Sequence, residues 1–199
     1  MKIGSMLKLG VTLAAFAATA CVMLAFVYAG TKKIIDIREE ADLQAALKDI
    51  FPEAQSFEPV EGIASHDHAV IIKSAFKAVR DGKPSGMALI LSRAGYAGPI
   101  TMMVGVSAGG IITGVKILEH SETPGLGANA ASKLYFVDHV GITFYGQFAG
   151  KNANDSFNVH HDVIAITAST ITSAAVASSV KAAGVAVIEW FAATGGDNE

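Results

Sequence analysis

Eight residues near the end of the chain, ITASTITS at 166–173, hold three threonines and two serines, with no cysteine, histidine or carboxylate among them. An Ala- and Val-rich helical pattern follows at once. Hydroxyls at the mouth of a helix have two chemical uses. One is capping: Thr172 or Ser173 is the expected N-cap of the last helix, its oxygen accepting a free backbone N–H. The other is esterification. Free N–H groups and the positive end of the helix dipole favour a phosphate there, so a phosphate carried on a hydroxyl would be held against the helix end. Capping accounts for one or two hydroxyls and leaves Thr167, Ser169 and Thr170 over.

A second stretch, HSETPGLG at 120–127, reads by composition as a turn, with Pro124, Gly125 and Gly127 supplying the bends. Two histidine groupings, His66-Asp67-His68 and His160-His161-Asp162, lack the spacing of metal ligands on a helix face and are expected to be solvated loop residues. No metal site is expected. The aromatic set Tyr135, Phe136, Phe144, Tyr145 and Phe148 is expected to be mainly core.

These residues need elements to position them. ITSAAVASSVKAAGVAVIEWF (171–191) places Val176, Val180, Ala183, Val187 and Phe191 on one face at helical spacing. Upstream, the runs 69–79, 87–93, 98–107 and 110–120 are β-branched and rich in Met and Leu, and glycines separate them as in an antiparallel block. RDGKPSG (80–86) is a turn and Ala108–Gly110 suits a hairpin. Residues 53–67 carry turn signals and few apolar groups. Residues 31–40 read as a charged connector, and 41–51 as an amphipathic helix ended by Pro52.

The N-terminal part is of another kind. Residues 9–29 run 21 positions without a charge, about 31 Å as a helix and enough to cross the hydrocarbon layer of a bilayer. The run is longer than a signal-peptide core, and no small-x-small cleavage site leads to a polar start, so it is read as a retained anchor. Lys2 and Lys8 on one side and Lys32 and Lys33 on the other leave the orientation open. Across the 199 residues, 51% are hydrophobic and 17% charged. A net charge of −3 leaves no basic face for nucleic acid. The single cysteine, Cys21, excludes an internal disulfide and any thiolate-held iron–sulfur cluster within the chain. An electron carrier here must be organic, haem-like or supplied by a partner.

Two motifs carry a family resemblance. TASTITS resembles the S(T)-G-A-T-x-T-S flavinylation motif of the FMN-binding domains in Rnf-type and Nqr-type respiratory complexes. HSETPGLG resembles their H-x-E-T-P-G-L-G segment. GYAGPITMMVGVSAGGIITGVKILEH (95–120) follows their G-Y-x-G-x-I pattern and hairpin, and the N-terminal apolar stretch is similar to that of the G subunit of Rnf complexes. The resemblance covers nearly the whole chain. Ala168 stands where the motif has glycine, and Ser169 where it has alanine.

The resemblance implies an α+β fold: one transmembrane helix, then an FMN-binding domain with a mainly antiparallel sheet packed by helices. Its bounds would be a cytoplasmic segment 1–8, the membrane helix 9–29, a juxtamembrane stretch 30–84 and the FMN-binding domain 85–195. It implies FMN joined by a phosphoester to Thr170, with Thr167, Ser169, Thr172 and Ser173 completing the attachment motif. Glu122, Thr123, Gly125, Leu126 and Gly127 would shape the ring pocket. The implied role is an electron relay in an ion-translocating ferredoxin:NAD oxidoreductase, with no stand-alone catalytic residue. Implied partners are the membrane and iron–sulfur subunits, a flavin transferase, and lipid. The implied location is the cytoplasmic membrane with the bulk of the chain outside. Two alternatives stay open: the C subunit of a sodium-pumping NADH:quinone oxidoreductase, and a non-redox assembly protein with a bare acceptor.

Overall fold

The computed structural model describes residues 3–194; most of the TGGDNE tail lies outside them. The chain forms two units, divided between Ala45 and Ala46.

The first unit is helical. Helix α1 runs Ile3–Ile50 without interruption, where the sequence suggested a connector at 31–40 and a separate helix after it. The physical reason is composition. Between Gly30 and Pro52 there is no proline or glycine, and Lys, Arg, Glu, Gln, Ala and Leu are good helix formers whether or not they are charged. The helix stops where Pro52 disfavours helical geometry for its predecessor. Along 9–29 apolar side chains are exposed on every side, Leu9, Leu13, Phe16, Leu24 and Phe26 among them, as a helix solvated by lipid requires. Threonine hydroxyls in and just after this stretch are satisfied by the helix itself: Thr12 donates to the Lys8 carbonyl, Thr19 to that of Ala15 at 2.8 Å and Thr31 to that of Val27 at 2.8 Å.

The second unit is built on a five-stranded antiparallel sheet in simple sequential order. The strands are β1 (Ser56–Val60), β2 (Val70–Arg80), β3 (Lys83–Ala94), β4 (Pro99–Ser107) and β5 (Ile112–Glu119). β1 was hidden in the turn-rich stretch 53–67. It is a five-residue edge strand with no fully buried side chain, so it carries little hydrophobic signal. The turn between β2 and β3 is tighter than the sequence implied, with Asp81 and Gly82 both at positive φ. That is a two-residue hairpin turn, and strand pairing continues on either side of it to Arg80 and Lys83.

β4 is buried along nearly its whole length, because the sheet is covered on both faces. On one face, Met87, Leu89, Leu91, Met102, Val104 and Val106 join the core formed with Val176, Val180, Ala183 and Val187 of helix α2 (Thr170–Ala193). Phe144 and Phe148 complete this core, edge to face at 5.7 Å. On the other face the end of α1 seats Ile50 and Phe51 against Gly105.

Three aspartates bind the periphery of this unit. Asp67 is held below the usual carboxylate range by the Ala69 N–H and then by the Arg93 guanidinium. Asp49 is lowered by its hydrogen bond to Lys116, at 2.6 Å. At Asp162 burial pushes upward, but the Ser156 hydroxyl and neighbouring backbone N–H groups outweigh it and the net direction is down. A depressed folded value contributes stability above the unfolded pKa and loses it as pH falls through the folded one. The thermal midpoint is therefore expected to hold steady on acidification to about pH 4 and to fall below it. Asp67→Asn should flatten part of that fall in melts recorded across the acid range.

Candidate functional site

The site is assembled where α2 begins. The helix starts at Thr170, with Ser169 as its N-cap residue and no side-chain capping bond. The expectation that Thr172 or Ser173 caps the helix is corrected: both lie inside its first turn. The reason is backbone geometry just upstream. Ala168 has φ +57°, and this left-handed residue turns the chain so that the helix begins three or four residues earlier than side-chain capping rules would place it. The turn is tied by Ser173, whose hydroxyl donates to the Ser169 carbonyl at 2.9 Å and accepts the Ile166 N–H at 3.0 Å.

One helical period then sorts the hydroxyls. Ser169 is buried, Thr172 and Ser173 fully so, while Thr167 and Thr170 are exposed. The first intrahelical bond is Ser173 N–H to the Ser169 carbonyl, at 3.0 Å. The N–H groups of Thr170, Ile171 and Thr172 thus precede any intrahelical acceptor and lie free at the positive helix end. Thr170 sits directly on that end.

An alanine in the left-handed region costs roughly 1 kcal/mol relative to glycine. Ala168→Gly is accordingly expected to stabilise the fold by about 0.5–1 kcal/mol, read as a rise in thermal midpoint.

Glu122 is the joint that holds the site. It is 5% exposed. Oε1 accepts the backbone N–H of Tyr96 at 2.8 Å and of Ala97 at 3.1 Å, and Oε2 accepts the Thr172 hydroxyl at 2.6 Å. One carboxylate so links the β3–β4 turn, the ETPGLG segment and the first turn of α2. Gly95 and Gly127 make room for it. A Cβ on Gly95 would lie 2.4 Å from Oε1, and one on Gly127 would lie 2.3 Å from Oε2 and 2.7 Å from the Thr172 hydroxyl. The ETPGLG stretch leads into a short 3-10 turn, Gly127–Ala131. Its backbone closes on Thr123, whose carbonyl accepts from Leu126 at 3.1 Å and Ala128 at 3.2 Å. Gly125 takes φ +77°.

A cavity of about 410 Å³ opens beside Thr170, lined by Tyr96, Glu122, Thr123, Leu126, Gly127 and residues 168–172. The structure thus brings together Thr170, Ser169, Thr172, Glu122, Thr123, Leu126 and Gly127. Ser173 supports the turn from below, Gly125 shapes the loop, and Thr167 lies on the far side. There a second cavity of about 390 Å³ is lined by His160, His161, Ile164, Thr167, Ala168 and Thr170. Thr170 belongs to both. Tyr96, Ala168 and Ile171 were not singled out as site residues. The GYAG turn was a signal for Tyr96, but only the Glu122 bond shows that it faces helix α2.

Of the aromatic set, Tyr135 touches the site: its hydroxyl accepts the Thr167 N–H at 3.2 Å. Phe144 and Phe148 are core, and Phe136 is half exposed. A further cavity of about 400 Å³ flanks the outer face of α2. Its charged groups are already engaged: His66 with Glu189 at 2.7 Å, Asp67 with Arg93, and Lys181 with the Ala153 and Asp155 carbonyls. Among the described residues no three His, Cys, Asp or Glu side chains gather as a metal site.

The cavity beside Thr170 combines an exposed hydroxyl, three unpaired N–H groups at a helix start, and walls in which Tyr96, Leu126 and Ile171 are apolar. That set fits a phosphate joined to a planar, largely apolar ring. Comparison with known proteins agrees. The family model of the FMN-binding domain matches residues 95–184, and that of the RnfG N-terminal region matches residues 1–50. A protein of Methanosarcina acetivorans, named as the G subunit of an ion-translocating oxidoreductase complex, is 31% identical over 180 residues, 88% of this chain and 91% of its own length. The chain belongs to this RnfG family. A further member, from Vibrio cholerae and named in the same way, is 31% identical over 185 residues, 88% of this chain and 87% of its own. The G subunit of the Na(+)-translocating ferredoxin:NAD(+) oxidoreductase complex of Acetobacterium woodii is 32% identical over 193 residues, 87% of each chain. Among solved structures, NqrC of Shewanella oneidensis aligns over 66% of this chain and 65% of its own, at 20% identity and a TM-score of 0.44. As an RnfG family member with an apolar N-terminal helix and an FMN-binding domain, the chain is a membrane-anchored redox subunit.

Proposed function

We propose that this RnfG family member carries FMN as a phosphoester on Thr170 and relays electrons within an ion-translocating ferredoxin:NAD oxidoreductase complex. The observation that carries the reading is the sorting of hydroxyls at the start of α2. Of the five in ITASTITS, Thr170 alone is both exposed and seated on the free N–H groups. In the attachment step, a flavin transferase using FAD joins the Thr170 Oγ to the FMN phosphorus. The pyrophosphate bond of FAD breaks, AMP leaves, and the hydroxyl proton passes to a base of the transferase. The departure of this sequence from the family motif at Ser169 does not create a rival acceptor, since that side chain is buried.

Once attached, FMN supplies the redox chemistry and the chain supplies its setting. The N–H groups of Thr170, Ile171 and Thr172 face the phosphate charge. Thr123, Leu126 and Gly127 wall the ring cavity, and the Leu126 and Ala128 N–H bonds to the Thr123 carbonyl tie that wall to the 3-10 turn beginning at Gly127. The anchor 9–29 crosses the cytoplasmic membrane once and leaves the second unit on its outer face, where free FMN is scarce. A covalent tether prevents loss of the cofactor there. Membrane and iron–sulfur subunits of the complex are its exchange partners.

The test is intact mass and peptide mapping of the full chain produced with an active flavin transferase. The expected result is one added FMN, less one water, on the peptide containing residue 170. A bare peptide from material made beside a demonstrably active transferase overturns the proposal and leaves a scaffold role.

A further inference from the structure

The carboxylate of Glu122 is one of the most buried ionisable groups in the chain, and attachment of a cofactor at Thr170 does not use it. It accepts from two backbone N–H groups and one hydroxyl, and these three protein donors occupy both its oxygens. Three of its roughly four acceptor sites are thus taken by the protein itself, which fixes where the group sits. It does form part of the wall of the cavity beside Thr170. No cationic side chain is among the residues lining that cavity.

We propose that Glu122 is a positioning residue whose fixed negative charge keeps the reduction potential of the group bound at Thr170 low. This rests on the reading that FMN is attached there. Uptake of an electron from a reductant adds negative charge to the bound group, and a like charge in a partly dry wall opposes it. The three donors keep the carboxylate in place, so the opposition is built in rather than relaxed away.

The geometry supplies a clean neutral variant. In Glu122→Gln the amide oxygen retains the Tyr96 and Ala97 N–H bonds. The amide nitrogen takes the position of Oε2 and donates to the Thr172 oxygen, whose hydroxyl bond simply reverses. The clamp persists and the charge is gone. Thr172→Val does the opposite: it keeps the charge and removes one donor that offsets it.

The experiment is a dithionite titration of the full flavinylated chain, with reference dyes, for wild type and both variants. Thermal melts run alongside. Expected is a higher potential in Glu122→Gln, about a tenfold shift toward the reduced form at a fixed poise, and a lower one in Thr172→Val. Loosening of the site would move both variants in the same direction, so opposite signs identify the charge. Unchanged potentials in flavinylated variants overturn the inference and leave attachment at Thr170 intact. If only one variant accepts FMN, a shift of its expected sign at a thermal midpoint equal to wild type supports the charge, and any other result overturns the inference. If both stay folded yet refuse FMN while wild type accepts it, the inference is overturned, because the pair then serves attachment. A wild type that carries no FMN overturns the underlying reading instead.

Discussion

Thr170→Val produced beside an active flavin transferase is expected to carry no covalent flavin, a loss of the whole signal in in-gel fluorescence, whereas Thr167→Val keeps it. Valine preserves the branched shape of threonine, so the helix start survives and only the nucleophilic oxygen is lost. The contrast between the two sites follows from where each hydroxyl stands. Thr167 is exposed but lies before the left-handed turn at Ala168, with its N–H donated to Tyr135. A phosphate placed on it would not be presented to the free N–H groups of Thr170, Ile171 and Thr172. Ser169→Ala should also retain the flavin, because the Ser169 side chain faces inward and makes no capping bond. Retained fluorescence in Thr170→Val would move the attachment to another hydroxyl and undo the assignment.

Gly127→Ala is expected to be the most damaging single-methyl change at the site. The new Cβ would lie 2.3 Å from Glu122 Oε2, well inside contact distance, and its neighbours are a carboxylate and a hydroxyl that are both buried and bonded. Either the carboxylate moves and gives up bonds to Tyr96, Ala97 or Thr172, or the 3-10 turn shifts away from α2. Overpacking of this kind costs roughly 1–3 kcal/mol, and a buried donor left without its acceptor adds about 1–3 kcal/mol. A fall in thermal midpoint of about 5–15 °C follows for a domain of this size. Less flavin should be attached per chain, because the start of α2 loses its tie. Gly125→Ala makes a useful comparison. No atom lies within 4 Å of the added Cβ there, so its cost is confined to the positive φ, on the order of 1 kcal/mol. A Gly127→Ala protein as stable as Gly125→Ala would contradict the clamp.

Much of this was legible in the sequence. The apolar span 9–29, the four longer strands, the hairpin at Ala108–Gly110 and the C-terminal helix each rest on local patterns of hydrophobicity and glycine placement. Such patterns act over a few residues and survive without knowledge of the fold. The hydroxyl cluster and ETPGLG are likewise visible as composition, and their pairing as a flavin site came from resemblance. β1 was missed because a short edge strand buries too little to leave an apolar signature. The continuity of α1 was missed because charge was read as a break, although charged residues propagate a helix as well as apolar ones do.

What the sequence by itself determined is that hydroxyls crowd the start of one helix and that a glycine-rich turn precedes it. Which hydroxyl faces out was decided by tertiary structure. Each residue along a helix turns about 100°, so the direction of each hydroxyl depends on where the chain enters the helix and on which face, that of Val176, Val180, Ala183 and Val187, packs on the sheet. That start depends on Ala168 adopting a left-handed conformation, a single backbone choice held by the Ser173 bonds and by Glu122 reaching Thr172 across fifty residues of chain. A contact between groups so far apart in sequence leaves no local trace, and it helps divide five similar side chains into two exposed hydroxyls, Thr167 and Thr170, and three buried ones.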